Sequence, residues 1–149
     1  MTSSAAHGCF LHRNPDVWVD MTIVRQDVAL LPGMETRRWH IRAASADDVP
    51  ALVSLVQGYS DFEQIPGFDQ AHVEAALRLQ LAAPKMAAAW VALADGAPIG
   101  YLLAVYVFSP EHLGLTAQID EFYVPAEHRH SGVGTALLEA AEATFAAAG

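Results

Sequence analysis

Apolar positions along this chain fall into short blocks that switch between helical and extended spacing. Trp39-His40-Ile41-Arg42 alternates as a strand does. Ser45-Ala46-Asp47-Asp48 has the capping-box form, with a serine to start a helix and an acid three residues later. Val49, Leu52, Val53 and Val56 then share one helical face, and Gly58 is the expected stop. Tyr59 to Gly67 reads as a loop of aromatics and carboxylates. Asp69 is placed to cap a second helix, with Val73, Leu77 and Leu81 along one side and Pro84 closing it.

Ala87 to Ala94 is apolar throughout, which periodicity alone cannot assign. Asp95-Gly96 behind it is a hairpin signal, and the β-branched and aromatic run Ile99 to Phe108 makes the other arm. Ser109 to Gly114 connects this run to Thr116–Val124, expected to be the central strand. Gly132 and Gly134 follow, and a helical pattern begins at once with Leu137, Leu138, Ala141 and Phe145. The predicted order is strand, helix, helix, three antiparallel strands, a glycine turn and a helix. Residues 1–33 carry weaker signals: turns at Asn14-Pro15-Asp16 and Leu31-Pro32-Gly33 around a strand-like Val17 to Val24. They are expected to form an extension, with Met34 a candidate start and the domain spanning 34–149.

The chain has 149 residues, 53% of them hydrophobic and 17% charged, which suits one folded domain rather than a disordered chain. A formal charge of −9 argues against a nucleic-acid partner; it would draw in cationic amines, but ordinary solubility charge is the simpler reading. The single cysteine, Cys9, excludes an internal disulfide framework and fits a reducing compartment. No apolar run approaches the ~18 residues of a membrane span, and the first residues lack a basic start and apolar centre. The cytoplasm is the expected location. His7, Cys9, His12 and Asp16 match known metal-ligand spacings poorly, and His128 and His130 read more simply as exposed imidazoles, so no metal is expected.

A strand feeding a glycine-spaced turn that opens a helix suits a phosphate-bearing ligand, because the first N–H groups of a helix are unpaired and its dipole is positive there. No lysine follows the glycines, as a P-loop would need, and Leu137 occupies the third glycine position of a dinucleotide fingerprint. What stands is Arg129-His130-Ser131-Gly132-Val133-Gly134, an R-x-x-G-x-G run. Together with Ile119-Asp120-Glu121-Phe122-Tyr123-Val124, Pro125 and Thr135-Ala136-Leu137-Leu138, it resembles the coenzyme A loop of the GNAT superfamily of N-acetyltransferases.

That resemblance implies an α/β (α+β) fold, a mixed sheet whose strands 1–4 are antiparallel with helices packed on its faces. It implies acetyl-CoA as co-substrate and direct transfer to a small-molecule primary amine. Arg129, His130, Ser131, Gly132, Val133, Gly134 and Thr135 would hold the pyrophosphate. Phe122, Tyr123 and Val124 would pair with the pantetheine arm, and an N–H near Val124 would polarise the thioester carbonyl. Tyr59, Asp61 and Glu63 are candidates to bind the acceptor. The adjacent carboxylates Asp120 and Glu121 are similar to those of diamine acetyltransferases, which points to Asp120 as base and Glu121 as an acceptor-binding or anchoring group. Neighbours on a strand face opposite sides unless a bulge intervenes.

Members of the superfamily continue with a fifth strand and a fourth helix, which commonly carries the tyrosine that protonates the thiolate. This sequence stops at Gly149. The expectation is a domain incomplete at its C-terminus, with an unpaired edge on strand 116–124 and part of the last helix uncovered. Such a chain would pair with a second copy or a completing chain, and alone would turn over poorly. The alternative function is a catalytically inactive remnant serving as a coenzyme-binding or interaction module.

Overall fold

Asp95 and Gly96 both adopt positive φ, 49° and 81°, as the tight two-residue turns of twisted hairpins require. In the computed structural model, which describes residues 11–13, 39–111 and 113–147, they join β3 (Ala87–Ala94) to β4 (Ala97–Ser109). Around this hairpin lie β2 (Trp39–Ala43) beside β3, and β5 (Gly114–Tyr123) beside β4. Leu11–Arg13 forms β1 against Leu115–Ala117 of β5. The sheet order is β1-β5-β4-β3-β2, and every pairing is antiparallel.

Two sequence expectations change here. The middle of the sheet is β4, not 116–124, because the three-residue β1 is the neighbour on the outer side of β5. The edge of that strand is also not bare along its whole length: residues 11–13, expected in an extension, pair with 115–117. The other readings placed in residues 1–33 lie outside the described residues.

The continuous apolar run of β3 is explained by burial on both faces. Ala89, Val91 and Leu93, with Tyr101 and Leu103 of β4, pack under α1 (Val49–Phe62) and α2 (Gln70–Leu81). Trp90, Ala92, Leu102 and Ala104 face α3 (Val133–Ala147), whose Val133, Leu137, Ala141 and Phe145 recur at helical spacing. Phe145 meets Trp90 edge-on, centroids 5.4 Å apart, and Tyr106 at 5.9 Å.

The helix starts behave as their sequences indicate. Asp48 accepts two bonds from the Arg42 guanidinium, each 2.7 Å, and one from Ser45 N–H at 2.7 Å. The strand end is thereby fastened to the 3-10 turn Ala46–Asp48 that leads into α1. Arg42 holds the Asp48 carboxyl below its ordinary range. Asp69 Oδ1 caps α2 by accepting from His72 N–H at 3.1 Å. The first helix, however, does not stop at Gly58. It runs to Phe62, and the glycine sits inside it where a Cβ would lie 3.1 Å from the ring and hydroxyl of Tyr123. Close ring packing, not chain reversal, is what the missing side chain allows.

Candidate active site

The far end of β5 carries an irregularity that bears on the paired carboxylates. Leu103 lies opposite Glu121 and Ala104 opposite Ile119, so Asp120 is an extra residue with no partner on β4. Such a bulge breaks strict alternation, and it is the condition under which both carboxylates can serve one face. Glu121 pairs across from Leu103, and Tyr123 from Tyr101, placing both on the side that α1 and α2 cover. Tyr101, with 0% exposure, donates its phenolic hydrogen to Glu121 Oε2 at 2.7 Å. Burial raises the Glu121 carboxyl above its ordinary range; the Tyr101 bond opposes that rise, and the Asp120 charge adds to it. Burial also raises the Tyr59 phenol, helped by the charges of Glu63, Glu121 and Asp120, so the fields of all three acids meet at the end of α1. Asp120 itself is exposed and Glu121 half-buried.

Beside these groups is a cleft of about 480 Å³ between the last turn of α1, the end of β5 and the turn before α3. Tyr59, Phe62 and Glu63 form its first wall. They stand at i, i+3 and i+4 and so share a helix face. Phe122, Tyr123 and Val124 form the second wall, and Arg129, His130, Gly132, Gly134 and Thr135 the third. The structure thus brings together most of the residues expected at the coenzyme and two of the three expected at the acceptor. Asp61 is not among them: two positions beyond Tyr59, it lies about 200° around the helix and is exposed. Ser131 Oγ instead donates to His128 O within its own loop, and the Val133 side chain, 1% exposed, belongs to the α3-side core. Neither Asp120 nor Glu121 lines the cleft; Glu121 stands two residues before Tyr123 on the same strand face.

Two residues of the site escaped the sequence reading. Phe62 would have emerged had the helix been carried past Gly58, since it lies one turn beyond Tyr59. Tyr101 carried no local signal, because its relation to Glu121 depends on strand register.

The turn itself is built by backbone conformation. After Pro125 a 3-10 turn covers Ala126–His128, and Arg129 Nε donates to Val124 O at 2.8 Å, closing the loop. The Arg129 guanidinium also lies 4.5 Å from the centroid of Phe62 and 5.8 Å from that of Tyr123. His130 and Gly132 then take positive φ, 60° and 84°, turning the chain into α3. The first helical bond there runs from Ala136 N–H to Gly132 O at 3.0 Å. The N–H groups of Val133, Gly134 and Thr135 therefore have no acceptor within the helix. At Gly134 a Cβ would lie 3.2 Å from Phe122 Cζ, so the glycine keeps this end of the cleft open. Unpaired donors, a positive helix end and no intervening side chain fit a diphosphate.

Among the described residues, no cluster of three or more His, Cys, Asp or Glu is arranged to hold a metal ion. No helix among them is long and apolar enough to cross a membrane.

Comparison with known proteins bears on this arrangement. A model of the acetyltransferase (GNAT) family matches residues 52–149. No curated protein matches the sequence significantly. Among solved structures, the chain is similar to an integron cassette protein from the mobile metagenome of Cole Harbour Salt Marsh. That pair has 26% identity and a TM-score of 0.66, over 69% of this chain and 67% of the other. A ribosomal-protein-alanine N-acetyltransferase from Brucella melitensis biovar Abortus 2308 is 22% identical, TM-score 0.60, over 74% and 73%. A predicted acetyltransferase with acetyl-CoA from Clostridium acetobutylicum is 20% identical, TM-score 0.60, over 68% and 69%. With the antiparallel sheet, the glycine turn opening α3 and a family match over most of its length, this chain belongs to the acetyltransferase (GNAT) family.

Proposed function

We propose that this chain transfers the acetyl group of acetyl-CoA to a small-molecule primary amine by direct attack on the thioester. The observation that carries the reading is one continuous cleft, from the open N–H groups at the start of α3 to the aromatic and acidic end of α1. The amides of Gly132, Val133, Gly134 and Thr135 hold the diphosphate, with His130 and Ser131 beside it. Arg129 fastens that loop to the end of β5. The backbone of Phe122 to Val124 aligns the pantetheine arm, and an N–H near Val124 stabilises the developing oxyanion. A fold likeness to a structure that contains acetyl-CoA supports the choice of co-substrate.

Of the two adjacent carboxylates, Glu121 is the better base. Its raised affinity for a proton brings it closer to the working range of a general base. Asp120, exposed on the bulge, is suited with Tyr59 and Glu63 to attract the ammonium form of the acceptor. In the step itself, the bound ammonium first gives a proton to Glu121 directly or through water. The neutral nitrogen then bonds to the thioester carbon. The carbon–sulfur bond breaks to release the thiolate of CoA, which takes up the second proton lost by the nitrogen.

The test is a thiol-release assay over a panel of primary amines, paired with acetyl-CoA titration by thermal shift. Glu121→Gln should lower kcat by about a hundredfold or more and leave the acetyl-CoA shift intact. Absence of any acetyl-CoA shift in the wild type would overturn the coenzyme assignment. A shift without turnover on any amine would favour a non-catalytic coenzyme-binding module.

A further inference from the structure

Tyr101 is an unusual residue for its place. It stands in the middle strand with 0% exposure, among Leu103, Val91 and Leu52 of the core under α1 and α2. Phenylalanine would pack the same volume without burying a hydroxyl, which is unfavourable unless the hydroxyl is bonded. Among the described residues its hydroxyl has one hydrogen-bond partner, Glu121 Oε2, at 2.7 Å. The Glu121 carboxylate in turn accepts that bond at Oε2.

Resting on the assignment of Glu121 as base, we infer that Tyr101 is its positioning residue: the buried phenol fixes Oε2 and leaves Oε1 to receive the proton of the amine. Three features make the geometry specific. The ring is immobilised by the core, so the donor has little freedom to move. The bulge at Asp120 sets Glu121 directly across from Leu103 and on the Tyr101 side of the sheet. The bond is also well formed, at the 2.7 Å usual for a hydroxyl donating to an oxygen.

The groups around Glu121 explain why a donor is needed there. Asp120 on its own strand, and Tyr59 and Glu63 at the end of α1, are all neutral or negative. Arg129, in the cleft wall, lies over the Tyr123 and Phe62 rings and donates to Val124 O. Unopposed, burial and the Asp120 charge would carry the carboxyl further toward its protonated form, past the moderate rise that suits a base. Tyr101 is the contribution that opposes them. Its own phenol is pushed far above the ordinary tyrosine range by burial, with Glu121 adding to that, so it remains a donor at every working pH.

The sign of the effect follows. Removing the hydroxyl raises the Glu121 pKa, so the acidic limb of kcat/KM for the amine moves to higher pH. A hydrogen bond to a charged group is worth enough to move that limb by about one pH unit or more, and kcat/KM below the limb should fall by about tenfold. Tyr101→Phe is therefore compared with wild type across pH, with acetyl-CoA affinity and Tm measured alongside. The expected result is a displaced limb with unchanged acetyl-CoA affinity. A limb that stays in place while Glu121→Gln is inactive would overturn the role of Tyr101 and spare the base. Full activity of Glu121→Gln would overturn the base itself. Should Tyr101→Phe fail to fold, Glu121→Asp supplies the second arm: it retracts the carboxyl from a phenol that stays in place, and its limb should also move upward. An unmoved limb in Glu121→Asp would equally overturn the inference.

Discussion

The Arg129 guanidinium lies 4.5 Å from the centroid of the Phe62 ring, joining the loop before α3 to the last residue of α1. The same side chain donates from Nε to Val124 O at 2.8 Å. One residue thus ties together the three walls of the cleft, through a planar cation that can stack and donate at once.

Arg129→Lys should keep the charge and lose much of the function, because an ammonium cannot reproduce a guanidinium stack with an edge-on donor. We expect lower Tm and weaker acetyl-CoA binding in that variant. A double-mutant cycle with Phe62→Leu should return a coupling of about 0.5–1 kcal/mol. Strict additivity in urea unfolding would mean that the stack contributes nothing.

Gly132 and Gly134 should behave differently when replaced by alanine. At Gly132 the nearest atom to an added Cβ is Trp39 Cζ2 at 3.7 Å, so space is ample, but φ is +84°. The variant should lose about 1–2 kcal/mol of stability from backbone strain, together with coenzyme affinity. At Gly134 the obstruction is the Phe122 ring at 3.2 Å, a ring exposed enough to give way. Helix propensity offsets part of that crowding. Gly134→Ala should therefore melt close to wild type yet bind acetyl-CoA at least about tenfold more weakly, since one methyl would project into the space proposed for the diphosphate. Equal losses of Tm in the two variants would contradict this division.

Asp48 offers a pH test of the fold, separate from catalysis. Its carboxyl is held below the ordinary value by Arg42, chiefly through their hydrogen bonds. A depressed carboxyl contributes stability above its unfolded pKa and loses it as pH falls through the folded one. Wild-type Tm should therefore drop as pH falls below ~4, where Asp48 of the unfolded chain takes up its proton while the folded carboxyl still resists it. Asp48→Asn should cost about 1–3 kcal/mol at neutral pH and show a shallower acid slope. Thermal melts down to pH ~3 check both; parallel curves for the two proteins would remove Asp48 from the account.

How much of this was legible in the sequence varies by feature. The Asp95-Gly96 hairpin, the Ser45/Asp48 start and the Asp69 cap are local patterns, each read from a few neighbouring residues, and the structure has all three. The apolar stripe of α3 and the glycine turn ahead of it were equally plain. Gly58 misled because its reason is distant: a helix interior normally disfavours glycine, and only the Tyr123 ring 65 positions later in the chain explains it. That one misreading placed Tyr59 and Asp61 in a loop, where their orientations could not be told apart. On the helix that actually forms, Tyr59 faces the cleft and Asp61 faces away.

What the amino-acid order determined by itself was the succession of elements, the buried stripe of each helix, the family resemblance and the glycine turn that opens α3. These rest on spacing within a dozen residues, where backbone geometry leaves few choices. Only the tertiary structure decided which carboxylate is sheltered and which side chains share the cleft. The extra residue at Asp120, the register that sets Glu121 under Tyr101, and the stacking of Arg129 on Phe62 all join positions far apart in the chain. Contacts of that kind are selected by how whole layers pack, because a one-residue change in strand register exchanges the two faces of the sheet.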